Sequence, residues 1–112
     1  MRTPWGRASS VDVVADGVIA VSTATHGGFF LSPTRNREVP ACFRALSRDG
    51  LAREGWYEED ADSCFVALTF PELFDADEIA GAKLIYDTVF RPKLIEVKAP
   101  AGCASIVLVR EG

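Results

Sequence analysis

The first third of the chain reads as short strands separated by reversal signals. Residues 9–14 mix β-branched and polar side chains, Ala15-Asp16-Gly17 supplies a turn, and residues 18–23 alternate as an antiparallel partner would. Paired glycines in Thr25-His26-Gly27-Gly28 permit a tight reversal into Phe29-Phe30-Leu31, so a third strand completes a meander.

The pattern then lengthens to a helical period. Ser32-Pro33 has the form of an N-cap followed by proline at the first helical position, which predicts a helical turn to about Arg37. Pro40 restarts the helix, Ala41, Cys42, Ala45 and Leu46 share one face of it, and Asp49-Gly50 stops it, leaving residues 50–57 as a loop. Ala61, Cys64, Phe65 and Leu68 follow the spacing i, i+3, i+4, i+7 behind Asp60, a capping residue, so residues 60–70 read as a helix limited by Pro71. The same stretch has β propensity and no decisive period, and a buried strand over 64–70 is the competing reading. Asp75 or Asp77 caps a further helix bearing Ile79, Ala82, Tyr86, Val89 and Phe90, which Arg91-Pro92 is expected to end.

Two strands are expected to close the chain, over residues 93–98 and 104–110, the second apolar on both faces and therefore central. The predicted order is βββ-ααα-ββ. It favours an α+β fold, a mainly antiparallel sheet of about five strands with helices packed against it, over a βαβ alternation. At 112 residues the chain is expected to form a single α+β domain over 1–112.

Composition narrows the function classes. Hydrophobic residues at 48% and charged residues at 25% are ordinary for a globular domain. The apolar runs fall well short of the roughly 20 residues that span a bilayer, so no membrane association is expected. The basic start is not followed by an apolar stretch, and the three cysteines, Cys42, Cys64 and Cys103, are odd in number and widely spaced. The expected compartment is therefore the cytoplasm, with the thiols reduced.

The formal charge of −4 is unevenly distributed. Residues 1–53 carry seven basic and four acidic side chains, a net of +3, whereas residues 54–112 carry five basic and twelve acidic, a net of −7. Nine carboxylates between Glu54 and Glu78 meet no basic residue. Such a segment repels nucleic acid and suits a protein partner with a basic surface. Arg35, Arg37, Arg44 and Arg48 form a modest basic group, but against this acidic background nucleic-acid binding is not expected.

Candidate chemistry is sparse. With one histidine and no closely spaced cysteine pair, the chain lacks a Cys/His metal pattern. The carboxylates Glu58, Glu59, Asp60 and Asp62 lack the bend glycine and distal glutamate of a calcium loop. Neither glycine-rich phosphate motif occurs, and no cofactor is expected. His26-Gly27-Gly28 resembles the oxyanion loop of some esterases, although no Gly-x-Ser-x-Gly elbow accompanies it. The weak catalytic candidates are His26 and Cys64, with Ser63 a substitute nucleophile and a carboxylate from residues 58–62 orienting the ring.

Four motifs carry a resemblance. Thr3-Pro4-Trp5-Gly6, Thr25-His26-Gly27-Gly28-Phe29-Phe30-Leu31-Ser32, Trp56-Tyr57-Glu58-Glu59-Asp60 and Phe70-Pro71-Glu72-Leu73-Phe74 together resemble an uncharacterised bacterial domain family found in phage, plasmid and other mobile-element genes. The likeness spans about residues 3–75, and it departs from the family where Ala61 and Ser63 replace a cysteine and an aromatic. It implies no catalytic role. It does imply a context in which small acidic proteins bind host machinery, including restriction and CRISPR-type defences.

The leading expectation is thus a small mobile-element accessory protein, of anti-CRISPR or anti-restriction type, that binds a protein partner. The contact residues expected are Trp56, Tyr57, Glu58, Glu59, Asp60, Asp62 and His26. Two other classes are a small hydrolase or transferase using His26, nearby carboxylates and Cys64, and a homodimeric module whose exposed aromatics pair across a twofold axis.

Overall fold

In the computed structural model, residues 1–97 are described, and the expected strand over 104–110 lies outside them. The meander forms because each strand is short, β-rich and ended by a residue that turns freely. Strands β1 (Arg2–Thr3) and β2 (Gly6–Arg7) make a small ribbon. Strands β3 (Ser10–Ala15), β4 (Val18–Ser22) and β5 (Gly27–Leu31) follow, and β6 (Trp56–Glu58) joins them later in a four-stranded sheet of order β3-β4-β5-β6, antiparallel throughout. Gly17 takes the left-handed φ of 78° that the β3–β4 turn demands. Residues 56 and 57 were expected in a loop, yet Phe29 pairs with Tyr57 and Phe30 with Trp56.

The helices are α1 (Pro33–Glu38), α2 (Ala41–Leu46), α3 (Ser63–Thr69), α4 (Ala76–Ile85) and α5 (Arg91–Val97). Short 3₁₀ turns occupy Leu51–Glu54 and Pro71–Leu73. The fold is α+β. Ser32 caps α1 as its sequence predicts, its hydroxyl accepting from the Arg35 amide at 3.2 Å. The stretch 64–68 is helical and buried all round, which explains its missing period: a helix enclosed on every side has no polar face to mark. Asp60 does not cap it. Asp62 occupies that position, with its side chain turned elsewhere.

Two expectations near the end of the described chain fail together. Arg91-Pro92 does not stop the helix, and residues 93–97 are helical instead of forming a strand. A π turn over Tyr86–Phe90 widens the backbone, the Arg91 amide donating to the Tyr86 carbonyl five residues back, and Pro92 falls in the first turn of α5 where no amide donor is required. Burial supplies the incentive, because Ala82, Tyr86, Phe90 and Leu94, spaced by four, are all buried.

One sheet face carries Val18, Leu31 and Tyr57 into the core, where Phe43, Phe65, Tyr86 and Phe90 cluster with centroids 4.6–6.5 Å apart. Cys42 is disulfide-bonded, against the expectation of a reduced thiol, and Cys64 is free and buried. Among the described residues no helix is long and apolar enough to cross a membrane.

Candidate functional site

The opposite sheet face has a different character. Register aligns Val13, Ile19, Phe30 and Trp56 in one row across all four strands, and Val11, Val21, Gly28 and Glu58 in the next. Val11 and Val13, on the edge strand, are exposed, whereas Ile19, Phe30 and Trp56 are half-buried. The ring of Trp56 lies 4.6 Å from Phe30.

Trp5 completes this row from the other end of the sequence. The turn between β1 and β2 is fixed by Thr3, whose Oγ1 donates to the Gly6 carbonyl at 2.7 Å and accepts from the Trp5 amide at 3.1 Å. The tip so formed sets Trp5 edge-on against Trp56, with centroids 5.7 Å apart and planes 85° apart. Gly28 makes the approach possible. A side-chain carbon there would sit 2.8 Å from the Trp5 ring and would also run into the Tyr57 carbonyl.

Beyond Trp56 the strand leads into the acids. Glu58 is half-buried and Glu59 and Asp60 are exposed. The Asp60 amide donates to Glu58 Oε1 at 3.3 Å. Partial burial raises the Glu58 carboxyl above its ordinary value and the Asp60 charge adds to the rise, while the nearby His26 opposes it. His26 is exposed, at the end of a turn in which Thr23 Oγ1 accepts from its amide at 3.0 Å, and its Nδ1 lies 2.9 Å from Thr25 Oγ1. The Glu59 amide donates to the Gly27 carbonyl at 2.9 Å, which ties the acidic segment to this histidine loop. Trp5, Phe30, Trp56, His26, Glu58, Glu59 and Asp60 therefore form one corner.

Three expected site residues lie elsewhere. Tyr57 is fully buried, as alternation requires of a residue between outward-facing Trp56 and Glu58. Its hydroxyl donates to Asn36 Oδ1 at 2.5 Å, and burial pushes its pKa up. Asp62 is buried too, accepting from the Ser47 hydroxyl at 2.5 Å and from the Arg48 amide at 3.0 Å. It organises the loop after α2 instead of facing a partner. Cys64 is 2% exposed in α3, and burial, aided by the Asp62 charge, pushes its thiol up to about 12, so it is not a thiolate near neutral pH.

No hydrogen bond joins His26 to Cys64 or to Ser63, whose hydroxyl donates to the Glu59 carbonyl at 3.1 Å. Among the described residues no three of His, Cys, Asp and Glu converge as metal ligands. Trp5 and Phe30 were missing from the expected contact set. The sequence carried no local signal for Trp5, because its approach to Trp56 over Gly28 joins segments far apart in the chain.

Residues 1–93 match the model of a family described as a domain of unknown function (DUF7007). No curated protein and no solved structure matches the chain.

Proposed function

The chain belongs to the DUF7007 family, whose description assigns no activity, and we propose that it works by binding a protein partner at the aromatic and acidic corner. The observation that supports this most is the Trp5–Trp56–Phe30 series on the sheet face opposite the core, ending at Glu58, Glu59 and Asp60. Half-exposed tryptophans bring large contact area at low entropic cost, and adjoining carboxylates steer a basic partner and set its register. Tyr57, between Trp56 and Glu58 in β6, supports the corner from within the fold.

The partner class rests on the motif likeness to mobile-element proteins. We place the protein in the cytoplasm, on the mobile-element likeness and against the direction in which the Cys42 disulfide points, and there it would engage host defence machinery as an anti-CRISPR or anti-restriction accessory. Affinity capture from host lysate with the wild-type chain should retrieve a basic partner. Reversing Glu58, Glu59 and Asp60 to lysine should abolish that capture while shifting the thermal melt little, since Glu59 and Asp60 are exposed. Undiminished capture by the triple variant would refute the reading.

A further inference from the structure

The arginines left over by the proposed docking surface are not dispersed. Of the basic group read from the sequence, Arg35 is engaged by the fold, its Nε donating to the Asp16 carbonyl at 2.9 Å and its guanidinium 5.0 Å from the Phe70 ring centroid. Arg37 and Arg44 instead join Arg53 around a cleft of about 340 Å³, walled by Phe30, Leu31 and Pro33. A second hollow of about 350 Å³ adjoins it, with Arg44 and Arg53 shared between the two.

Arg44 is pre-positioned. It is half-buried, and its Nη1 donates to the Asn36 carbonyl at 3.0 Å. Asn36 is itself held by the Tyr57 hydroxyl and by its own Nδ2, which donates to the Ala52 carbonyl at 2.7 Å. A guanidinium anchored this way loses little freedom when a ligand arrives. Arg37 and Arg53 are exposed, and none of the three arginines forms an ion pair among the described residues. Among the described residues, an acidic chain thus keeps three arginines at one cleft with no ion pair to any of them.

We propose that this cleft binds a small organic phosphomonoester of about nucleoside-monophosphate size, its phosphate on Arg37, Arg44 and Arg53 and its organic part against Phe30 and Pro33. Charge selects the class. Three guanidiniums and the one lining carboxylate, Glu54, leave a net of two positive charges, which matches a phosphomonoester at about −2 and exceeds a single carboxylate. The volume suits a small molecule, since such pockets begin near 300 Å³. The cradle is built from side chains, which is why no glycine-rich phosphate motif marks it.

Isothermal titration calorimetry on the full chain tests the proposal, with adenosine 5′-monophosphate as probe, adenosine as the control lacking phosphate, and a phosphoserine peptide as the alternative source of the same group. One-site binding of the nucleotide is expected, at least tenfold weaker in Arg37→Gln and in Arg53→Gln, with adenosine silent. Both variants change exposed side chains, and each should melt like the wild type. The Glu58, Glu59 and Asp60 reversal should bind the nucleotide as the wild type does, which separates the arginine cleft from the acidic part of the docking corner, with Phe30 common to both. No binding of the nucleotide, equal binding by wild type and both variants, or binding of the phosphopeptide alone would overturn it.

Discussion

Asn36 shows how much one buried polar residue organises. Its side-chain amide receives the Tyr57 hydroxyl and donates to the Ala52 carbonyl, and its backbone carbonyl accepts from Arg44, so α1, the Leu51–Glu54 turn, β6 and α2 meet at one residue. Buried polar groups cost little while every partner is present and much when one is removed. Tyr57→Phe should therefore cost about 1–2 kcal/mol, by orphaning Asn36 Oδ1 without leaving a cavity. Asn36→Ala should cost more, because it strands both the hydroxyl and the Ala52 carbonyl. Urea denaturation of the two variants checks this; a Tyr57→Phe protein as stable as wild type would show that the bond contributes nothing. At this scale the sequence was least legible. Tyr57 stands between Trp56 and Glu58 in a run that looks uniformly exposed, and only its strand conformation turns it inward.

Individual elements were legible where local chemistry decided them. The hairpin β3–β4 and the Ser32-Pro33 start of α1 were read correctly, and of the two caps left open for α4, Asp75 and Asp77, the structure uses Asp75, since turn and cap signals act within four residues. The α4 cap is a complete capping box: the Glu78 amide donates to Asp75 Oδ1 at 2.8 Å, and the Asp75 amide donates to Glu78 Oε1 at 3.0 Å. Asp75→Ala should lower stability by about 1 kcal/mol. Asp77→Ala, in the same turn but outside the box, serves as its control. Equal thermal midpoints for the two variants would deny the box a role. Elements were misread where burial overrode a local signal. Pro92 is a helix stop by itself, yet the four-residue spacing of Ala82, Tyr86, Phe90 and Leu94 continues the helix past it through a π turn. Strand β6, three residues long, has no periodicity to detect and exists because β5 offers it an edge.

Over the whole molecule, the acidic segment divides between surface and interior. Glu59 and Asp60 face solvent, whereas Asp62, two residues on, is enclosed. Burial raises the Asp62 carboxyl above its ordinary 3.8, the Ser47 and Arg48 hydrogen bonds opposing the rise only in part. A carboxyl that holds its proton more firmly when folded stabilises the fold below its unfolded value and loses that contribution as pH rises through the folded one. The stability of wild type relative to Asp62→Asn should therefore decline from pH 3.8 upward through the weakly acidic range, as urea midpoints would record. A difference that is constant or grows with pH would contradict it.

The amino-acid sequence alone determined the α+β class, the meander, the start of α1 and the concentration of acids after Glu54, because propensity, capping and charge are properties of neighbouring residues. Tertiary structure decided which of those acids and aromatics reach solvent, brought Trp5 onto Trp56 and gathered Arg37, Arg44 and Arg53 around one cleft. Those outcomes depend on strand register and on the packing of segments far apart in the chain, and no short window of sequence contains that information.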